Sequence, residues 1–204
     1  MVFMADVRRR RKRLLAAAAA VLPLFALAPT TAAHSAASQD RHCVAHLSQG
    51  AARSAVTCYD TFPKAIADAT AGRVANAPAD AAAAARDSGF ARRLNAAADK
   101  KGNAQALAAA ETVIGIEFEH RDFRGTSLAV VAPHGCESGT VWDFGNLGGT
   151  EWNDRFSSFA TFSGCRARHW EDAGLEGALR DYLPSTAYIG RAMNDETSSI
   201  QWRR

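Results

Sequence analysis

The 204-residue sequence lacks several short motifs that mark common enzyme and metal sites. It has no Gly-x-Ser-x-Gly nucleophile elbow and no His-Glu-x-x-His motif, which excludes the commonest serine hydrolase and metallopeptidase patterns. The cysteines show no Cys-x-x-Cys spacing, which argues against a structural zinc site that uses Cys136, Cys165 and the nearby histidines His134 and His169. We therefore expect a protein without enzymatic activity.

A hydrophobic run long enough to span a bilayer is also missing. The longest apolar run, Leu14 to Ala28, has about 15 residues and contains Pro23, whereas a spanning helix needs about 20. A basic run, Arg8 to Arg13, precedes it, and the small residues Thr31-Ala32-Ala33 follow. This order is typical of a secretory signal peptide over residues 1–33. It predicts a secreted, extracellular protein with no membrane association after cleavage.

The chain beyond residue 33 has no excess of basic residues. The formal net charge of +3 depends on six basic residues in the first 33 positions, which contain one acid. The remainder holds 18 Lys and Arg against 20 Asp and Glu, so its net charge is close to −2. Because no later segment combines clustered Lys and Arg with aromatic residues, nucleic-acid binding is excluded.

Cysteine is scarce, and its four positions all follow the expected signal peptide: Cys43, Cys58, Cys136 and Cys165. An even number in an oxidising compartment predicts two disulfides. Three pairings are open, and we favour Cys43–Cys58 with Cys136–Cys165 because each pair lies within one compositional block.

Residues 34–74 have the pattern of a small disulfide-pinned accessory unit of mixed α/β or helical character. Two short runs, Cys43–Leu47 and Ala55–Tyr59, predict strands. The segment Lys64–Ala71 predicts a short helix, with Pro63 in its first turn and a glycine after its end.

Residues 75–111 are rich in alanine and poor in large apolar side chains. Alanine favours helix, but Phe90, Leu94 and Leu107 are the only large hydrophobic residues in the segment. Three such residues cannot build a core of their own. This connector is either a helical spacer or propeptide-like stretch, or a partly ordered linker.

Residues 112–204 contain all four tryptophans and most phenylalanines. Apolar residues alternate with small or polar ones, and glycines separate the segments, which predicts an all-β sandwich. The fold class is therefore mainly β.

A repeat divides this sandwich into two units. The hexapeptide Asn153–Ser158 and its second copy 41 positions later, Asn194–Ser199, both read Asn-Asp-x-x-Ser-Ser. Each copy follows an opening segment with an aromatic residue seven positions before a glycine, Phe118 to Gly125 and Trp170 to Gly177. A repeat of this length indicates one supersecondary unit used twice.

These segments resemble the βγ-crystallin family, in which two Greek-key motifs form a small sandwich. Phe118 to Gly125 and Trp170 to Gly177 match its first-hairpin pattern, and both hexapeptides match its calcium-binding pattern at every fixed position. The match covers about 93 residues. The first unit departs from the second because its hexapeptide begins 28 positions after its glycine, against 17 positions in the second unit. We expect an inserted loop there.

The resemblance implies a Ca²⁺ site shared between the motifs, with two ions in all. Asp154 or the Arg155 carbonyl would act with Ser198 and the carbonyl of Glu171 or Glu119. Symmetrically, Asp195 or the Glu196 carbonyl would act with Ser157 and the remaining glutamate. The implied metal residues are Glu119, Asn153, Asp154, Arg155, Ser157, Glu171, Asn194, Asp195, Glu196 and Ser198.

The expected function is thus that of a secreted, monomeric calcium-binding protein whose ion stabilises the fold. The alternative is a secreted protease inhibitor or small toxin on the same fold, with an extracellular protein partner. Its contact surface would be the insert Gly135–Gly149, on which Trp142, Phe144 and Leu147 would be exposed or half-exposed. The competing interpretation, which we favour, is that these aromatic residues only cap the sandwich.

Overall fold

The computed structural model describes residues 40–49, 54–99, 111–137, 139–179 and 181–204. The expected signal peptide, residues 1–33, lies outside the described residues, and so does Leu107 of the connector. All described residues belong to one compact unit that spans 37–204. In this described part of the chain, no helix is long and apolar enough to cross a membrane.

Within the described residues, nine strands outnumber three α-helices and one 3₁₀ turn, so the expected mainly β class is confirmed. In chain order the elements are β1 (His42–His46), β2 (Val56–Tyr59), α1 (Phe62–Ala69), α2 (Ala81–Arg86), α3 (Ser88–Asp99), β3 (Thr112–His120), a 3₁₀ turn (Arg121–Phe123), β4 (Arg124–Ala132), β5 (Trp142–Phe144), β6 (Ser158–Thr161), β7 (Arg166–Asp172), β8 (Glu176–Leu179) and β9 (Ser199–Arg203).

The strands form two sheets. The first has the order β2-β1-β4-β3-β6, and the second has the order β5-β9-β7-β8. Strand β1 pairs in parallel with β4, with Cys43 opposite Leu128. The hairpin β1–β2, which belongs to the segment expected as an accessory unit, therefore extends the same sheet as the C-terminal strands.

The two repeated units exchange strands between the sheets. Strand β5 belongs to the first unit but pairs with β9 of the second, where Phe144 lies opposite Ile200. In return, Thr186 of the second unit pairs with Phe159 in β6. This reciprocal exchange gives the two-Greek-key arrangement expected from the sequence, so the two units share one core.

The two sheets pack face to face around an aromatic core. Trp152, Phe156, Phe159 and Trp202 are all fully or almost fully buried there. Gly115 of β3 makes this packing fit, because a Cβ at that position would lie 2.7 Å from the indole nitrogen of Trp202. The glycine is thus required by the close approach of a large side chain.

The helices cover the outer face of the five-stranded sheet. Helix α1 buries Phe62, Ala65, Ile66 and Ala69, which lie at the i, i+3, i+4, i+7 spacing of one helix face. Phe90 and Leu94 of α3 join the same cluster. The described part of the alanine-rich segment, 75–99, thus forms helices that pack on the sheet, and Phe90 and Leu94 contribute to a core that the sheet supplies.

Strand β4 explains why both faces of this sheet are apolar. Leu128 and Val130 point into the sandwich, whereas Ala129 and Val131 point towards the helices. Successive side chains of a strand alternate between faces, so a strand covered on both sides reads as a continuous apolar run.

Both disulfides have the favoured pairing, Cys43–Cys58 and Cys136–Cys165. The second closes the insert, but the exposure of its apolar residues that the inhibitor alternative required is wrong. Trp142 and Phe144 are 3% and 2% exposed, and Leu147 is fully buried, because these residues fill the space between the sheets. The insert therefore presents no aromatic contact surface, and the inhibitor alternative loses its main support.

Candidate functional site

The two hexapeptides lie side by side and hold each other through the backbone. The amide of Asp154 donates to the carbonyl of Thr197 at 3.0 Å, and the amide of Asp195 donates to the carbonyl of Phe156 at 3.1 Å. These two hydrogen bonds are equivalent under the repeat. The loops are therefore related by an approximate twofold axis, and each reaches across to the other unit.

The first serine of each hexapeptide lies against the opening hairpin of its own unit. The amide of Ser157 donates to the carbonyl of Phe118, and the amide of Ser198 donates to the carbonyl of Trp170, both at 2.9 Å. Because Glu119 and Glu171 follow these aromatic residues, each serine is next to one of the two glutamates implicated by the sequence.

The second serine of each hexapeptide holds the folded hairpin in place. Ser158 Oγ accepts from the amide of Phe123 at 3.0 Å and donates to the carbonyl of His120 at 2.6 Å. Ser199 makes the same pair of bonds, at 3.0 and 2.6 Å, to the equivalent residues Leu175 and Asp172. These two serines are fully occupied by structural contacts.

The two aspartates adopt the same unusual backbone conformation. Asp154 has φ of 56° and Asp195 has φ of 59°, in the left-handed region that Asn and Asp tolerate better than most residues. In each loop the preceding asparagine donates from Nδ2 to a carboxylate oxygen of the aspartate at 2.5 Å. Asn153 and Asn194 thus orient the two carboxylates.

One contact brings the two units together as the ligand assignment requires. Ser198 Oγ of the second unit lies 3.3 Å from Asp154 Oδ1 of the first. A hydroxyl and a carboxylate oxygen from different motifs therefore face the same small volume.

The exposure of the ten predicted metal residues suits an ion site open to solvent. Asp154, Asp195, Glu171 and Glu196 are exposed, Asn153, Asn194, Arg155, Glu119 and Ser198 are partly buried, and Ser157 is buried. The donor set consists of carboxylate, hydroxyl and backbone carbonyl oxygens, which are the ligands that Ca²⁺ prefers. The residues therefore fit a calcium ion chemically.

Arg155 departs from a simple oxygen-ligand role. Its guanidinium donates to Glu119 Oε1 at 2.5 Å and to the carbonyl of Glu151 at 3.2 Å. Partial burial of Glu119 favours its neutral form, but the hydrogen bonds from Arg155 and Thr126 and the charge of Arg155 with that of His120 together outweigh burial and hold the pKa of Glu119 below its ordinary value. The ion pair is a feature of the first unit, because the second has Glu196 in place of the arginine.

A second ionisable pair lies in the middle of the sandwich and was not predicted from the sequence. Glu117 of β3 and His169 of β7 are both 0% exposed, and their Oε2 and Nε2 atoms are 3.0 Å apart. Burial raises the pKa of Glu117, although His169 opposes the shift. The only sequence signal is an acid inside the apolar stretch of β3.

One further group of side chains contains sulfur and oxygen atoms of the kinds that can bind a metal ion. The sulfur atoms of Cys43 and Cys58 and a carboxylate oxygen of Glu151 lie within 4.8 Å of one another. The sulfurs are bonded to each other, and Glu151 pairs with Arg41. Since thiolates rather than disulfide sulfurs bind metals, this group is not a metal site in the oxidised protein.

Comparisons with known proteins found similarity to solved structures and to no family model or curated protein. No family model matches the chain, and no curated protein is a significant match. Solved structures similar to about 44% of the chain include the N-terminal domain of protein S, at 21% identity, 93% coverage of that chain and a TM-score of 0.35. A βγ-crystallin domain from Clostridium beijerinckii is 20% identical, with 44% of this chain and 97% of that chain covered and a TM-score of 0.36.

A βγ-crystallin domain from Flavobacterium johnsoniae is 22% identical, with 44% of this chain and 92% of that chain covered and a TM-score of 0.34. Identities and TM-scores this low describe a likeness of fold and nothing about ligands. The repeated hairpins, the exchanged strands and the paired hexapeptides define a βγ-crystallin-like sandwich, to which this chain adds a β-hairpin and a layer of helices.

Proposed function

We propose that the chain is an exported, non-enzymatic calcium-binding protein in which Ca²⁺ bridges the two repeated units. The observation that carries the proposal is the approach of Ser198 Oγ to Asp154 Oδ1, at 3.3 Å across the boundary between the units. Oxygen atoms from two motifs can bind one hard cation only if the motifs are packed together, so binding would favour the closed sandwich.

Two equivalent donor groups follow from the approximate twofold axis. The Ser198 cluster consists of Ser198, Asp154, Arg155 through its carbonyl, and Glu171. The Ser157 cluster consists of Ser157, Asp195, Glu196 through its carbonyl, and Glu119. In each cluster, the aspartate and the hydroxyl would hold the ion together with backbone carbonyls of the hairpin and of the hexapeptide.

The number of charged ligands suggests modest affinity. Each cluster supplies one hexapeptide aspartate, and its other donors are mainly neutral oxygens. Dissociation constants of about 10⁻⁵ to 10⁻³ M are expected for such a set, in the range of calcium sites in extracellular modules. This affinity would suit a medium that holds calcium at high concentration.

The proposed role of the ion is to stabilise the fold. A ligand that binds only the folded state, present at 100 times its dissociation constant, adds about 2.7 kcal/mol to the free energy of unfolding. For a chain of this size, each kcal/mol raises the melting temperature by about 2–4 °C, so saturation of one site should raise it by about 5–11 °C.

Two observations support an extracellular location. The chain contains two disulfides, which persist in oxidising compartments, and none of its described helices could span a bilayer. Together with the signal-peptide pattern of residues 1–33, they favour secretion.

The test is thermal unfolding of the oxidised protein, first with a chelator and then with 10 µM to 10 mM Ca²⁺ (on the order of the affinities above). We expect the melting temperature to rise with calcium and the variant Asp154→Asn/Asp195→Asn to lose this response. Asparagine is chosen because it tolerates the positive φ of both positions while removing the charge.

The matched control is Asp60→Asn/Asp181→Asn, which removes two exposed carboxylates outside the hexapeptides. It should keep the full calcium response. An unchanged melting temperature of the wild-type protein at 10 mM Ca²⁺, with no heat in a calorimetric titration, would refute the proposal, since this concentration is about ten times the weakest expected dissociation constant.

A further inference from the structure

The outer faces of the two sheets carry different side chains at positions that the repeat makes equivalent. On the five-stranded sheet, Ile116 and Phe162 face the helices and are 0% and 5% exposed. Arg168 holds the position of Ile116, because each lies two residues before the opening aromatic residue of its unit. Arg203 holds the position of Phe162, because each lies four residues after the last serine of its hexapeptide. The face that is apolar and covered by helices in one sheet is therefore basic in the other.

A third arginine completes this basic surface, the arginine face, which consists of Arg166, Arg168 and Arg203. Arg166 of β7 lies directly opposite Arg203 of β9, and Arg168 is the next residue of β7 on the same side. Like charges directly opposite each other destabilise a sheet. Among the described residues, no carboxylate forms an ion pair with Arg166 or Arg203, and Asp181, which pairs with Arg168 at 3.2 Å, has a side chain that is 87% exposed. An anion bound here would offset the repulsion.

Tyr182 holds the three guanidinium groups in place. Arg166 donates from Nε and Nη2 to the carbonyl of Tyr182, at 3.2 and 3.0 Å. The guanidinium carbons of Arg168 and Arg203 lie 4.3 and 3.8 Å from the centroid of the tyrosine ring. The tyrosine hydroxyl donates to Gln201, whose own amide donates to a carboxylate of β5 at 2.8 Å. Side chains ordered in advance lose less entropy when a ligand binds, so this arrangement favours binding.

The chemistry of the arginine face suits a polymer that carries carboxylate groups. A guanidinium group matches a carboxylate with two parallel hydrogen bonds. The Cα atoms of opposed residues are about 5 Å apart and those of alternate residues in one strand about 7 Å apart, so carboxylates spaced along a chain can meet several arginines at once.

Two other kinds of partner fit this surface less well. Single-stranded nucleic acid needs free aromatic rings for its bases, and a protein partner needs an aromatic anchor. Neither is offered here, because Trp170, which Arg168 also contacts at 5.5 Å, is 7% exposed and the ring of Tyr182 is covered by guanidinium groups.

We propose that the outer face of the four-stranded sheet binds an acidic polysaccharide built of uronic acids, through Arg166, Arg168 and Arg203. The site lies outside the ten residues of the calcium clusters and requires no calcium. Only the kind of polymer rests on the proposed export of the protein, which would place the arginine face among extracellular polysaccharides.

The test is binding of the oxidised, full-length protein to immobilised polygalacturonate, measured in a chelator at about 20 mM salt, where screening of exposed charges is weak. We expect the wild-type protein to bind polygalacturonate but not neutral dextran, and added salt to weaken the binding. In Arg166→Gln/Arg203→Gln, the loss of two exposed ion pairs should lower the affinity about 5- to 30-fold. The matched control Arg92→Gln/Arg121→Gln removes the same charge from exposed positions elsewhere, including one arginine that also stacks on a tyrosine, and should bind as the wild-type protein does.

The single variant Arg203→Glu separates binding from folding. It replaces the like-charge pair with an opposite-charge pair facing Arg166, so its melting temperature should equal or exceed that of the wild-type protein while its affinity falls at least about 5-fold. The proposal is overturned if the wild-type protein does not bind polygalacturonate, if Arg203→Glu binds as tightly as wild type, or if single-stranded DNA binds more tightly than polygalacturonate. Each of these results leaves the calcium-dependent rise in melting temperature untouched, so the two proposals fail separately.

Discussion

Replacement of the second serine of a hexapeptide should destabilise the protein even without calcium. In Ser158→Ala, the amide of Phe123 and the carbonyl of His120 each lose their partner, and Ser158 is fully buried. A buried polar group left without a hydrogen bond costs about 1–3 kcal/mol. Because water can partly satisfy the carbonyl of His120, we expect the free energy of unfolding to fall by about 2–3 kcal/mol in total.

The repeat supplies an internal comparison for this prediction. Ser199→Ala should cost about the same, since its hydroxyl makes the same two bonds at 3.0 and 2.6 Å. Ser157→Ala should cost less than about 1 kcal/mol without calcium, because Ser157 is held through its backbone amide. Ser157→Ala should instead weaken calcium binding. Substitutions of the two adjacent serines should therefore affect different properties, stability for Ser158 and calcium affinity for Ser157.

Thermal unfolding in a chelator measures the effect. A loss of 2–3 kcal/mol corresponds to a melting temperature about 4–12 °C lower for a chain of this length. If Ser158→Ala melts within about 1 °C of the wild-type protein, or if Ser157→Ala loses as much stability, the assignment of separate roles is incorrect.

Two further predictions concern the interior of the sandwich. Gly115→Ala should lower the free energy of unfolding in urea by about 1–3 kcal/mol, because the new Cβ would lie 2.7 Å from the buried indole of Trp202. The control Gly145→Ala, with open space around its Cβ, should lower it by less than about 0.5 kcal/mol. Equal losses in the two variants would contradict this prediction. The raised pKa of Glu117 means that its contribution to stability is fully present below the unfolded pKa of 4.5 and is lost as pH rises through the folded pKa. The variant Glu117→Gln lacks this pH-dependent loss, so its free energy of unfolding relative to that of the wild-type protein should increase from pH 5 to pH 8, by at most about 1.4 kcal/mol per pH unit. A constant difference between the two proteins over that range would refute the prediction.

The sequence was most informative where local chemistry repeats. The two Asn-Asp-x-x-Ser-Ser copies and their aromatic-to-glycine openers predicted two related hairpins, and the structure pairs those loops about a twofold axis. The positive φ of Gly125 and Gly177 agrees with the glycine requirement of these folded hairpins. Such features depend on nearest neighbours, so they can be inferred from residue type and spacing.

Features that depend on distant residues could not be inferred in the same way. The exposure that the inhibitor alternative required of Trp142 and Phe144 was wrong, because β5 crosses to the other sheet and buries both side chains. The pairing of Glu117 with His169 was missed for a similar reason, since 52 positions separate them and each looks ordinary in its own strand.

By itself, the sequence determined the mainly β class, the duplication and the residues available to bind an ion, because turn conformation, strand alternation and ligand chemistry are encoded locally. Only the tertiary structure decided that the N-terminal hairpin and the alanine-rich helices complete the same sheet and its second core. It also decided that Asp154 meets Ser198 across the units and that Arg155 binds Glu119. These contacts arise because burial of apolar surface on both faces of one sheet brings residues far apart in the chain to neighbouring positions.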